Sequence, residues 1–314
     1  MQIIDIYESA LRQYIDSRAV FEELARTRKD ATEIRGSMIW KDGYLVRTSS
    51  AGGQKGLGPR SSETEEIYRR FHERKPLLEQ RVKDLETELA ACARRNFAEH
   101  VGRSPGLLVK VLNRLDEAGI AEHFLVVGTH ALYAYEHAAG ARITESGAMA
   151  TKDIDLLWDT RKRIRLATQM NLQATSLIGL LRDVDPTFRL TAHARYKAIN
   201  SKGFEIDVLR RESRHEDPHP LQVTDHEDEF WAVQVRNANK LLTAERLTAM
   251  VVSARGEMAR MTTISPGVFI EFKRWLSQQE DREPEKRDRD TLQADIVAEM
   301  VRDHRLPPTP SRAT

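Results

Sequence analysis

Apolar residues in the first third of the chain recur mostly at helical spacing. Ile6, Leu11, Tyr14, Phe21 and Leu24 predict an amphipathic helix over the stretch from Ile3 to Lys29. In GSMIWKDGYLVRTSS the period changes, and two β-rich runs flank Lys41-Asp42-Gly43, a strong hairpin signal because Asp-Gly accepts the positive φ of a tight turn. The glycine-rich, polar and basic stretch from Ala51 to Ser62 reads either as a flexible linker or as a backbone-rich loop that touches phosphates. Helical spacing returns at SETEEIYRRF, which offers a capping residue and early acids. Leu77, Leu78, Val82, Leu85 and Leu89 extend the stripe toward Asn96. Its mixed Glu and Lys/Arg faces fit a solvated helix, a dimer strut or an RNA ruler. A shorter helix after Pro105 carries Leu107, Leu108, Val111, Leu112 and Leu115 on one face and stops at Gly119.

From His123 to about Arg236 the texture changes. Apolar runs FLVVG, DIDLLWD, FEIDVLRR and FWAVQV predict strands, and RIRLATQMNLQATSLIGLLRDV between them predicts a helix, which together make an α+β or α/β domain. Beyond it, a helix from about Pro266 through IEFKRWLSQ, a charged turn EDREPEKRDRD and a helix TLQADIVAEMVRDH predict a mostly helical region. The closing LPPTPSRAT is expected to be disordered. The expected boundaries are 1–104 for a first extension, 105–236 for the mixed domain, 237–305 for the helical region and 306–314 for the tail.

Composition narrows the picture by exclusion. The 314 residues suffice for two ordinary domains, and 40% hydrophobic content is enough for a core. Lys and Arg number 49 against 48 Asp and Glu, so no global basic field announces nucleic acid or membrane, and any such binding needs a local patch. The single cysteine, Cys92, excludes an internal disulfide and a cysteine-based zinc site. With no signal peptide and no long apolar run, a cytoplasmic protein is expected.

Three short signals carry the candidate chemistry. In Val127-Gly128-Thr129-His130-Ala131 a strand ends at a glycine that permits a sharp turn. Thr129 is expected to cap the next helix, leaving N–H groups facing a phosphate. In Thr151-Lys152-Asp153-Ile154-Asp155-Leu156-Leu157, strand alternation sends Ile154, Leu156 and Trp158 into a core and both aspartates the other way, at a spacing that lets them share a cation. In Phe204-Glu205-Ile206-Asp207-Val208-Leu209, Asp207 again lies opposite the apolar side, and pairing with the first acidic strand would bring it alongside. Three carboxylates so close repel one another unless divalent cations are bound. Without such pairing they are ordinary acids at strand ends.

These residues resemble the nucleotidyltransferase superfamily of the DNA polymerase β palm, and within it the minimal nucleotidyltransferases and AbiEii-like toxins. The resemblance, carried by VVGTHALYAYE, TKDIDLL and FEIDVL, covers roughly residues 123–305. It implies an α+β palm, a mixed sheet flanked by helices, with a helical and hairpin extension before it and a helical region after it. It further implies that Gly128 and Thr129 hold the β- and γ-phosphates, that Asp153 and Asp155 bind two Mg²⁺ ions, and that Asp207 binds the catalytic ion and helps activate an acceptor hydroxyl. A downstream basic residue is expected at the triphosphate. Lys273 is the candidate, with Arg282, Lys286 and Arg287 nearby and Lys240 as rival. Asp290 after Arg289 resembles a late Arg-Asp pair of the AbiEii-like proteins, at longer spacing from the lysine.

One departure is that twenty-three residues separate Thr129 from Asp153, more than in minimal members, so HAAGARITESGAMA is either a substrate loop or lid, or a sign that the glycine turn lies elsewhere. His193, Arg195 and Lys197 are expected on alternating positions of a strand beside Asp207, flanking the site or forming a generic basic sheet face. His215, His219 and His226 form no compact metal framework. The implied function is Mg²⁺-dependent transfer of a nucleoside monophosphate from an NTP to a hydroxyl of tRNA, other RNA or protein, in a toxin or phage-defence setting, with an antitoxin or a second copy as partner and no membrane. The competing reading is a non-catalytic module that keeps the fold to bind RNA or a partner.

Overall fold

The computed structural model describes residues 2–49, 52–172, 175–213, 217 and 219–307. The chain divides into two compact units, one formed by Met1–Leu11 with Val101–Thr314 and the other by Arg12–His100. His215 and most of the closing proline-rich segment lie outside the described residues. None of the helices among the described residues is long and apolar enough to cross a membrane.

The chain opens with a strand, β1 (Ile3–Asp5), and the first helix, α1 (Glu8–Glu33), starts later than its apolar spacing predicts. Ile3, 3% exposed, is taken up by strand pairing within the larger unit, so tertiary contact overrides local periodicity there.

In the smaller unit α1 is followed by β2 (Ser37–Lys41), β3 (Tyr44–Thr48), β4 (Gln54–Pro59) and α2 (Ser62–Ala98). Asp42 and Gly43, with φ of 51° and 80°, form the turn that joins β2 to β3. Part of the glycine-rich stretch is a third strand rather than a loop, because Gln54 and Lys55 pair with Thr48 and Arg47 across a register shift at Leu45/Val46. Ser61 caps α2 through a reciprocal box with Thr64. Met38, Leu45 and Phe71 form the core between sheet and helix. Buried Ser17 of α1 donates to Asn96 of α2 at 2.8 Å, tying the two helices together.

The larger unit continues with α3 (Gly106–Glu117), β5 (Phe124–Val127), α4 (Ala131–Ala139), β6 (Ala141–Ile143), α5 (Ser146–Met149) and β7 (Asp153–Trp158). Next come α6 (Arg163–Leu172), α7 (Leu177–Val184), β8 (Arg189–Leu190), β9 (Lys197–Ile199), β10 (Glu205–Arg211) and β11 (Val233–Val235). It ends with α8 (Ala238–Thr243), β12 (Arg246–Val252), β13 (Met258–Ile264), α9 (Pro266–Ser277) and α10 (Pro284–Arg302). The single expected helix after β7 is two, because the Ser176 side chain caps a fresh start by accepting from Gly179 N. The region after 236 is not only helical, since β12 and β13 form a mostly buried hairpin. Much of the expected charged turn is already α10, which Pro284 opens in the first helical turn.

The main sheet is mixed, in the order β5-β7-β10-β9-β8, with β11 also paired to β10. One face packs Val126, Ile154, Leu156, Ile206 and Val208 against α3, α7 and the β12–β13 hairpin. The other packs Leu125, Val127 and Leu157 against α4, α9 and α10. The stretch between Gly128 and Asp153 is no open loop: it holds α4, β6 and α5, with Ala141, Ile143 and Ala148 at most 1% exposed.

Candidate active site

The acidic side of the site follows from strand alternation and register. Along β7, Ile154 and Leu156 are fully buried on one face, so Asp153 and Asp155 emerge on the other. The parallel pairing of β10 with β7 sets Glu205 beside Asp153 and Asp207 beside Asp155. On the other edge β9 pairs antiparallel and sets Lys197 opposite Asp207. On the far side of β7, β5 sets Val127 opposite Asp155, which delivers Gly128 to the acids despite the long separation in sequence. Gly128 has φ +68°, and a Cβ there would lie 2.2 Å from Asp155 Oδ2. Only glycine permits both the turn and the approach.

A basic wall faces the acids across a cavity of about 300 Å³ lined by Gly128, Thr129, Asp153, Asp155 and Asp207 on one side and Lys273, Arg282, Lys286 and Arg289 on the other. Lys273 is 4% exposed, and its ammonium donates to Asp290 Oδ1 at 2.7 Å. Arg282 donates to the second oxygen of Asp290, which is itself fully buried. Arg289 Nη1 donates to Ala150 O at 3.0 Å. Asp290 thus fixes Lys273 and Arg282 in place by satisfying charges that would otherwise be buried unpaired.

The charges perturb one another. Burial, reinforced by Asp207 and Asp153 and opposed by Lys273, pushes Asp155 up to about 7. Burial also pushes Asp207 up to about 6, with Lys197 pulling against it and Glu205 and Asp153 adding to it. Lys197 is lowered by burial, but its hydrogen bond to Glu205 and the charges of Asp207, Glu205 and Asp153 outweigh this and leave it above its ordinary value. Its Nζ lies 3.8 Å from Asp207 Oδ1, too far for a hydrogen bond, and that buried oxygen has no hydrogen-bond partner. Burial, above all, lowers the Lys273 ammonium.

This donor set suits a hard divalent cation. Three carboxylates on adjacent strands, two of them driven toward protonation and one with an orphaned buried oxygen, would all be relieved by a cation among them. Among the described residues no three His, Cys, Asp or Glu side chains are gathered as a ready-made cage. Mg²⁺ does not need one, because it takes one or two carboxylates and completes its shell with water and substrate phosphates.

Several site expectations are redrawn by the structure. Thr129 does not cap a helix: Gly128–His130 is a single 3₁₀ turn and α4 starts at Ala131 without a side-chain cap. The Thr129 hydroxyl instead accepts from Gln293 Nε2 at 3.0 Å, while the same amide donates to Ala148 O at 2.6 Å. Gln293 is fully buried, and sequence reasoning missed it; its place three and four residues after Asp290 and Arg289 on one face of α10 was the available signal. Arg287 does not line the cavity, because a step of about 100° per residue turns it away from the face that carries Lys286, Arg289, Asp290 and Gln293. Lys240, on α8, is exposed and also absent from the lining, where its neighbour Leu241 stands. Of the trio expected on one strand, only Lys197 lies in β9. Arg195 precedes it and donates to the Glu227 carbonyl at 3.0 Å, and His193 lies exposed in a bend. His219 Nδ1 meets Arg210 Nη2 at 2.7 Å, and His226 is exposed.

No curated relative and no solved structure matches the chain. A family described as Nucleotidyltransferase matches residues 107–313, a span that contains every acid and base of the cavity described above. With two thirds of its length inside that match, the chain belongs to this nucleotidyltransferase family.

Proposed function

We propose that the cavity catalyses Mg²⁺-dependent transfer of a nucleoside monophosphate from an NTP to an acceptor hydroxyl, on a palm of the polymerase β type. The observation that carries this reading is the β7–β10 register, which sets Asp155 beside Asp207 and Asp153 beside Glu205, opposite the basic wall of α9 and α10. Asp153, Asp155 and Asp207 are the ligands for two ions, which when bound supply charge neutralisation at the triphosphate and a lowered pKa at the acceptor hydroxyl. Lys273, Arg282, Lys286 and Arg289 bind the phosphates and stabilise the charge that builds on the pyrophosphate as it leaves. Gly128 brings bare backbone up to the acids, where no side chain fits. Asp207 orients the attacking hydroxyl. The lining also holds the apolar Leu157, Leu209, Leu241 and Phe272, against which a base can pack without being read by hydrogen bonds.

The resemblance to AbiEii-like proteins makes RNA, and tRNA in particular, the first acceptor to test and protein the second. The test incubates the purified protein with each α-³²P-labelled NTP, Mg²⁺ and total cellular RNA, beside Asp155→Asn. Metal-dependent label on RNA or protein that disappears in the variant is the expected result, and transfer at the normal rate by Asp155→Asn would overturn the site.

A second reading is favoured by Lys197, whose ammonium already rests against Glu205 and Asp207. A chain that neutralises its acids with lysine would bind nucleotide without transferring it. In the same experiment this predicts nucleotide binding that chelator does not weaken, with no label on any acceptor.

A further inference from the structure

The alternation that sends Asp155 and Leu157 into the acid cavity sends Leu156 into a second cavity on the opposite face of the same strands. This second cavity holds about 350 Å³, and its floor is Phe124 and Val126 of β5, Leu156 of β7 and Leu112 and Leu115 of α3. A cavity of this size with an apolar floor and a few polar groups at its mouth has the makeup of a small-molecule site. It shares no lining residue with the acid cavity.

The polar groups of the mouth define the ligand. Arg246 is committed to Asp159 at 3.3 Å, and Glu122 is committed to Lys162 at 3.4 Å and Arg165 at 2.9 Å. Arg260 of β13 is exposed, and among the described residues it has neither an ion-pair nor a side-chain hydrogen-bond partner. Beside it Thr248 and Thr262 face each other across the hairpin with hydroxyls hydrogen-bonded at 3.2 Å, so one donates to the other and the second is left to donate next to a guanidinium. Asp116 lines the α3 side and repels negative charge there, so an anionic group is directed to the hairpin side.

We propose that this cavity binds a small organic anion with a flat apolar body, its charge held by Arg260, Thr248 and Thr262 and its body laid on Phe124 and Leu112, the more accessible residues of the floor. The site does not depend on the proposed transfer reaction and is tested without it.

The probe is 1-anilinonaphthalene-8-sulfonate, a flat apolar body with one sulfonate, titrated into the folded full chain and followed by fluorescence. One saturable site is expected. Arg260→Glu weakens it roughly ten-fold or more by placing like charge beside the sulfonate. Thr248→Trp, at an exposed strand position where tryptophan is well tolerated, closes the mouth and abolishes binding while the thermal midpoint holds. Lys286→Glu, on the wall of the other cavity, leaves the titration unchanged. Absence of a saturable site, binding indifferent to both hairpin variants, or binding lost in Lys286→Glu would each overturn the proposal.

Discussion

At the scale of single residues, the tightest constraint is Gly128 against Asp155. A methyl group at Gly128 meets both a positive φ and a carboxylate oxygen 2.2 Å away. Gly128→Ala is therefore expected to cost about 1–3 kcal/mol and to displace Asp155, with nucleotide transfer falling further than stability. Chemical denaturation and turnover, measured on one preparation, separate the two effects. Asp155 gives a prediction of opposite sign. Its carboxyl sits at about 7 in the folded chain, above its ordinary value, so the folded state binds more protons than the unfolded one between about 4 and about 7. The stability from this group is therefore full at low pH and is lost as pH rises through about 7. In chelator at pH 8, Asp155→Asn is expected to stabilise the protein by roughly 1–2 kcal/mol while removing transfer. A lower thermal midpoint for the variant under those conditions would contradict the electrostatic account. The same proton must leave before a cation enters, so Mn²⁺ affinity, followed by paramagnetic resonance, is expected to rise steeply between pH 6 and 7.5, the range set by Asp207 at about 6 and Asp155 at about 7.

At the scale of elements, α9 and α10 work as one piece because buried Lys273 of α9 and half-buried Arg282 of the intervening turn both pair with buried Asp290 of α10. Asp290→Asn leaves two cations sharing one neutral partner, and removal of one member of a buried pair costs about 3–5 kcal/mol. The expected outcome is a lower denaturation midpoint together with weaker nucleotide binding, because Lys273 and Arg282 lose their fixed positions. Elements also show what the sequence could and could not convey. The strands that carry Asp153, Asp155 and Asp207 were legible because alternation with buried Ile154, Leu156, Ile206 and Val208 is a local property. That the glycine turn reaches Asp155 was not, since it depends on β5 pairing with β7 across an insertion whose own helices and strand are set by packing. The sequence points to Arg287 and not to Arg289 because a run of basic residues does not reveal its inward face until the helix start at Pro284 is known. The strand at Ile3–Asp5 was hidden for the same reason: its partner, β6, lies more than a hundred residues away.

At the scale of the whole molecule, the larger unit is built from two separate pieces of chain, with the smaller unit's sequence running between them. Ile3, Ile4 and Asp5 pair with Ile143, Arg142 and Ala141, and Asp5 is also bonded by Arg305. Deleting residues 2–6 is expected to destabilise the larger unit and to speed hydrogen exchange at the amides of Ala141–Ile143, with protection of the β2–β3 amides unchanged. Loss of protection in both units would show that they unfold together.

The β1–β6 pairing also bears on how this protein is made. A ribosome releases β1 before its partner strand, which emerges only after the whole of the smaller unit, so β1 waits unpaired while some 130 residues are added. The smaller unit, whose strands pair over short sequence distances, can complete itself in that interval, since Asn96, the α2 partner of Ser17, is also made before β6. Once folded, it replaces a long floppy loop with a compact one and reduces the entropy lost when β1 finally docks. Synthesis order thus gives this insertion the role of a built-in clamp on the birth of the larger unit, and slowing its folding should delay the appearance of an active enzyme more than its small share of the chain suggests.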